Sequence, residues 1–319
     1  MCKFLSLRLI IAASLCILHA LGASIYVGGA GESISVAENW DPVGLPLRSG
    51  NVGIIESDAG WNVASAPRLV NYHLQITSGV LSRFNFSNKQ TIDGGVWEFD
   101  GGFYIGRALS LVNGAEVIVN SGGIRALENK NDDITLSAGS SLTIHGGETI
   151  ASDTIGIDAT GGTITINGGT LSSRKFASNF NAAGTYNLNG GIIRGGDFGS
   201  INAKGVVLNF GVGSVGSVLF ESFNSTNVTI DWSPKSLMSL TITDSDQSFY
   251  EALYRQGSLL FAGSNKFPFS DNFEVSGSTL KKVDIPELSN CSLLFGLLTF
   301  AWSLSRANGG KQVSSCVNV

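Results

Sequence analysis

One binary pattern recurs along the middle of the chain: apolar, any residue, apolar, polar, then Gly-Gly. It reads "VIVNSGG" at 117–123, "LTIHGG" at 142–147, "ITINGG" at 164–169 and "YNLNGG" at 186–191, with "VWEFDGG" at 96–102 as a looser copy. The glycine pairs that close the copies fall at 101, 122, 146, 168 and 190, a step of about 21 to 24 residues. A fixed period of this length marks a solenoid, in which each turn of chain is one structural unit.

The alternation gives the local structure. In Leu142-x-Ile144 and Ile164-x-Ile166 alternate side chains fall on one face, as in a strand buried on one side. The Asn-Gly-Gly or His-Gly-Gly that follows supplies the positive φ a sharp turn needs. A second short strand follows in "GGTL" (168–171) and "GGIIRGG" (190–196), so one coil of about 22 residues holds two or three strands. A single coil cannot cover its own apolar face, but stacked coils can, each strand pairing with its equivalents above and below. The pattern predicts an all-β chain, a right-handed parallel β-helix, with Ile144, Ile166 and Leu188 inward on successive coils. The alternative is an antiparallel sandwich with coincidental glycines.

From about 206 the Gly-Gly period fades while "VVLNF", "SVLF", "VTIDW" and "SLTIT" keep the strand alternation. "DQSFYEALYRQG" (246–257) then breaks it. Phe249 with Leu253 and Tyr250 with Tyr254 are spaced four apart, Asp246 or Ser248 can cap the start, and Gly257 can end it. One short helix across the end of the solenoid is expected here.

Composition sharpens the class. The chain has 41 Gly, 14% charged residues and a net charge of −5. That excess of turn formers suits many short strands, and no basic cluster offers nucleic acid a footprint. Lys3 and Arg8 precede the apolar "LIIAASLCILHALGA", whose last residues, Ala20, Leu21, Gly22 and Ala23, supply a small-x-small site, so 1–23 reads as a secretory signal for signal peptidase. A retained anchor helix is the alternative. Cys2 and Cys16 lie in that signal, Cys291 and Cys316 near the other end, and residues 24–290 contain no cysteine. The exported body therefore has no disulfide framework and no Cys-ligated metal.

Two stretches resemble known families. "SIYVGGAGESISVAENWDPVGLPLRSGNVGII" (24–55) resembles the opening of bacterial surface proteins built on autotransporter-type β-solenoids, through Tyr26, Gly28, Gly29, Asn39, Trp40, Gly44, Pro46, Val52 and Ile54. "DIPELSNCSLLFGLLTFAWSLSR" (284–306) places Pro286-Glu287 before a membrane-length apolar run from about Ser289, with Arg306 after it. That order resembles the PEP-CTERM sorting signal, with Leu288 in place of the second proline, one arginine where several are usual, and a polar tail beyond. The resemblance implies a C-terminal transmembrane helix in the inner membrane before processing. It further implies an exosortase, a membrane-embedded cysteine protease, as partner in a Gram-negative, biofilm-forming host. A plain C-terminal anchor is the alternative. The expected organisation is a signal at 1–23, a cap region at 24–60, solenoid repeats at 61–205, a β region with the short helix at 206–283, the sorting signal at 284–306 and a polar tail at 307–319.

Candidate chemistry is sparse. Some parallel β-helices cut polysaccharides with acids and a basic residue, and Asp132, Asp133, Asp153 and Asp158 lie near Lys130, Arg125 and Arg174. On a 22-residue coil Asp132 and Asp153 fall on adjacent turns, where solvated loop acids are the favoured reading. His145 takes the turn position that is Asn in neighbouring copies, and His73 stands apart. No Gly-x-Ser-x-Gly elbow, Cys–His pair or zinc spacing occurs. No catalytic residue, cofactor or metal is expected. The functional expectation is an exported, non-enzymatic surface or matrix protein, with exopolysaccharide as a partner of its Ser/Thr/Asn-rich exterior. A polysaccharide lyase or hydrolase is the alternative.

Overall fold

A computed structural model describes residues 23–30, 32–46, 52–61, 68–82, 90–106, 108–126, 133–151, 156–176, 184–198, 205–213 and 215–283. Met1–Lys282 form one compact unit; of the second, Val283–Val319, only Val283 is described. The first unit is a parallel β-solenoid whose coils contribute to three stacked sheets.

The strand ahead of each glycine pair builds the first sheet. It runs in parallel register from Ala23–Tyr26 through Val52–Ile55, His73–Ile76 and the first halves of Val96–Gly106 and Glu116–Ala126. It continues through Ser141–Ile144, Thr163–Ile166, Thr185–Leu188, Val206–Phe210 and Val228–Trp232 to Leu259–Phe261. The strand after the glycine pair builds the second sheet, from Ala59–Gly60 through Glu148–Ala151 and Gly191–Phe198 to Met238–Ile242. A third sheet starts at Arg68–Val70 and passes through Gln90–Asp93, Leu109–Val112, Asp133–Leu136 and Gly156–Asp158. Parallel pairing thus continues well past 206, although the glycine pairs do not.

The core fills the space inside the three sheets. Ile144 pairs in register with Ile166, and Ile166 with Leu188, and all three are buried, as the alternation predicts. Each fully buried aliphatic of this kind contributes about 1.5–3 kcal/mol. Aromatic residues take the same inward places elsewhere: Trp97, Phe99, Tyr186, Phe210 and Trp232 are all buried.

Stacking explains why the turn needs two glycines. A Cβ on Gly168 would stand 2.4 Å from the carbonyl oxygen of His145 in the coil below. The second glycine of the next pair, Gly191, has φ +79° and would put a Cβ 2.8 Å from Gly168 backbone. The first glycine allows close approach and the second allows the left-handed turn.

Both ends are covered. At the start, Trp40–Asp41 pairs antiparallel with Ala23–Tyr26. Trp40 lies edge-on to Tyr26 at 5.5 Å, and its indole N–H donates to Ile34 O at 2.9 Å. Burial, with Glu32 nearby, pushes the Tyr26 phenol up to about 12. At the other end helix α1 spans Gln247–Gln256. Asp246 caps it, accepting from Phe249 N at 3.0 Å, and Gly257 ends it at φ +77°. Tyr250, Leu253 and Tyr254 turn inward from α1. Tyr250 Oη accepts from Ile242 N at 3.1 Å and donates to Ser278 O at 2.7 Å. Finally Thr279–Lys282, paired antiparallel with Phe273–Ser276, adds antiparallel to Met238–Ile242 and closes the second sheet.

Candidate functional site

The outward face of the first sheet carries polar ladders that satisfy themselves. Asn209 Nδ2 donates to Asn187 Oδ1 at 2.9 Å, and Asn187 Nδ2 to Thr165 Oγ1 at 3.3 Å, each across a 22-residue step. At the turn, Asn189 Nδ2 donates to Asn167 Oδ1 at 2.8 Å, and Asn167 Nδ2 lies 3.3 Å from His145 Nδ1, again at 22-residue steps. His145 is thus one rung of a turn ladder. His73 sits apart from it at the head of its strand, paired with Val96.

The acids and cations considered for catalysis do not form one cluster among the described residues. Asp132, Asp153 and Lys130 lie outside them. Asp133 and Arg174 belong to described strands through their backbone. Asp158 pairs with Thr135 in the third sheet and is buried. Arg125 is held in place, its Nε 2.7 Å from Glu148 Oε1 and its guanidinium 4.7 Å above the Phe103 ring. No group of three or more His, Cys, Asp or Glu among the described residues could hold a metal.

Two of the concavities among the described residues bear on the site. One, of about 500 Å3, lies over the second sheet, with Ile150, Ser172, Arg194, Leu219 and Glu221 around the bare backbone of Gly195-Gly196. The other, of about 510 Å3, lies in the C-terminal cap. Its wall is Glu251, Tyr254 and Arg255 of α1; its opposite side is Asn265, Phe267, Pro268, Phe269 and Ser270. Asn265 Nδ2 donates to Tyr254 O at 3.0 Å and ties this segment to the end of α1. Tyr254, Phe269 and Phe273 pack on one another edge-on or tilted at 5.4–5.9 Å. Phe267 is 65% exposed.

The sequence reading did not single out this cap pocket. The aromatic pair flanking a proline in "NKFPFSD" was its one visible trace. Nothing in a local pattern tells which of two such rings packs and which stays open.

The geometry defines a capped, three-sheet parallel β-solenoid. No protein-family model, curated protein or solved structure matches the chain. Among the described residues no helix is long and apolar enough to cross a membrane. Pro286, Glu287 and Arg306, expected to form a sorting signal, and residues 1–22 of the secretory signal expected at 1–23 lie outside the described residues.

Proposed function

We propose that the chain is an exported, non-enzymatic β-solenoid of the bacterial cell surface or extracellular matrix. Signal peptidase removes 1–23, the apolar run after Pro286-Glu287 holds the chain in the inner membrane as a transmembrane helix, and an exosortase-like protease then releases or transfers it. Exopolysaccharide is the partner of the mature body, and its coils wind right-handed, as parallel crossovers almost always do.

The observation that carries this reading is the order of parts in "DIPELSNCSLLFGLLTFAWSLSR", which follows a β-solenoid body. A permanent anchor needs only length and apolarity. Proline removes an N–H and restrains Ile285 to an extended conformation, the form in which a protease can reach backbone. Glu287 resists burial and fixes the depth of the segment, and Arg306 keeps its far end inside.

The test is the intact mass of the protein exported by its own host. Loss of everything beyond about 290 is expected, and changing Pro286-Glu287 to Ala-Ala leaves full-length chain in the membrane. A mature protein that still carries Cys316 overturns the sorting step. Incubation with neutral and acidic glycans separates this reading from a lyase or hydrolase: release of unsaturated or reducing ends overturns it.

A further inference from the structure

We infer that the hollow in the C-terminal cap is a binding site for a neutral saccharide, with Phe267 as the platform on which a sugar ring stacks. This rests on the reading of the chain as an exopolysaccharide-associated surface protein, and gives that association a place.

Folding of the cap leaves one ring unused. Its other rings are consumed by packing: Phe249 on Tyr250, Tyr254 on Phe269, and Phe261 on Phe273. Phe267 makes no ring contact with a described residue and stays 65% exposed at the edge of a concavity. Aliphatic side chains such as Val43 and Val215 are exposed as well, but Phe267 is the one aromatic ring among the exposed large hydrophobic residues described. At about 510 Å3 the hollow falls in the range of small-ligand sites, which pair aromatic walls with a few placed polar groups.

Those polar groups point to one chemistry. Arg255 uses Nε on the Glu251 carbonyl at 3.3 Å, which leaves its two terminal nitrogens as donors. Glu251 uses Oε1 on Gln247 Nε2 at 2.8 Å, which leaves Oε2 as an acceptor. Asn265 spends its Nδ2 on Tyr254 O, which leaves Oδ1 as a second acceptor, and Ser270 adds a hydroxyl. An anion would meet the Glu251 carboxylate, and a cation would meet the Arg255 guanidinium. A ligand that donates and accepts through hydroxyls, and also has an apolar C–H face, uses every part of the wall. A neutral pyranose has both features. Acidic polymers are further disfavoured by the chain's net charge of −5.

The hollow over the second sheet serves as the internal control. It too holds an arginine and a glutamate, Arg194 and Glu221, but no aromatic ring. It is therefore assigned no stacking role.

The experiment is calorimetric titration of the full chain with cellohexaose, laminarihexaose, maltohexaose, chitohexaose and hexagalacturonate. At least one neutral hexasaccharide is expected to bind, and hexagalacturonate is not. Phe267→Ala is expected to weaken that binding about tenfold or more, the equivalent of ~1.4 kcal/mol, as is Asn265→Asp, which replaces the tie to Tyr254 with a second charge. Arg194→Ala is expected to leave it unchanged. Because Phe267 is exposed, its variant should keep the wild-type melting temperature, which separates lost binding from lost fold. Binding of none of the neutral hexasaccharides overturns the inference, as does stronger binding of hexagalacturonate. Equal affinity in Phe267→Ala moves the site elsewhere and overturns it while leaving the exported, matrix-bound reading intact. That reading fails on its own evidence, the intact mass and the glycan-cleavage assay.

Discussion

Replacing Ile166 by Asp tests the stack at its centre. Ile166 is fully buried, with Ile144 one coil below and Leu188 one coil above in the same register. Truncation to Ala removes that contact and leaves a cavity, at a cost of about 2–5 kcal/mol. Asp adds an uncompensated buried charge, worth about 3–5 kcal/mol more. The sum, about 5–10 kcal/mol, reaches the whole stability of many domains, about 5–15 kcal/mol. The neighbouring Thr165 faces outward and holds only the 3.3 Å bond from Asn187, so Thr165→Ala should cost about 1 kcal/mol or less. Because each coil touches only its neighbours, damage should be greatest at the mutated coil and decline along the stack. Urea denaturation gives the three costs, and hydrogen exchange gives their location. A cost below about 1 kcal/mol for Ile166→Ala would falsify the inward register. So would a Thr165→Asp variant as damaged as Ile166→Asp.

Three further outcomes follow from particular contacts. Arg68 Nε lies 2.5 Å from Asp93 Oδ2 and Asn113 Nδ2 donates to Oδ1 at 2.6 Å; the Arg68 bond first, then Asn113, hold the Asp93 carboxyl below its ordinary value against the opposing effect of burial. A carboxyl lowered on folding stabilises above its unfolded pKa of about 3.9 and loses that contribution as pH falls through its folded value. Asp93→Asn should therefore be less stable than wild type near neutral pH, with the gap closing below about pH 4 in thermal melts; a gap independent of pH would remove the pair from the account. Arg68 is half exposed, so the gap should be modest, about 1 kcal/mol or less. Gly123 has φ +151° and would carry a Cβ 1.8 Å from Glu148 O, so Gly123→Ala should lower the melting temperature sharply, whereas Gly139→Ala, with open space around it, should carry only the strain of its positive φ; equal shifts would refute the stacking argument. Tyr250→Phe should cost about 1–3 kcal/mol, because Ile242 N and Ser278 O lose a buried partner, and should loosen the cap in hydrogen exchange while the central coils keep their protection; uniform loss along the stack would contradict a local role.

The repeat was legible because its signals are local. Alternation over four residues places Leu142 and Ile144 inward, and a glycine pair turns the chain, whatever lies further along. The helix at 247–256 was legible for the same reason: Asp246 and Gly257 cap it from within one turn. The third sheet was harder to see. Its strands are short, as in Arg68–Val70 and Gly156–Asp158, and lack a closing motif. Their pairing depends on the two other sheets fixing the coil. No local signal marks Asp158 as inward, yet it is buried at a register position opposite Thr135. The persistence of coils beyond 206 was also hidden, because the chain stops using glycine pairs: Gly211-Val212-Gly213 and then Ser233–Leu237 take over the turn. Cap contacts lie furthest from sequence. Tyr250 reaches Ser278 across 28 residues, and only packing decides that Phe269 is covered while Phe267 is open.

How the solenoid ends bears on what it can do. A parallel stack exposes unpaired backbone at each terminal strand, a template for adding further strands. Trp40–Asp41 covers the first strand of the first sheet, and a bridge between Phe261 and Ser264 folds the chain back on its last. The second sheet is met at one end by Ser33 on Gly60 and at the other by the antiparallel Thr279–Lys282. In the third sheet the first strand, Arg68–Val70, is three residues long and carries the Arg68–Asp93 ion pair. Short, charged edges discourage strand addition, so these caps and the Arg68 edge oppose end-to-end growth through backbone pairing. The outward face of the first sheet carries ladders that bond to themselves, such as Asn209 to Asn187 to Thr165. Folding leaves other side chains unspent, as around the hollow between α1 and Phe267.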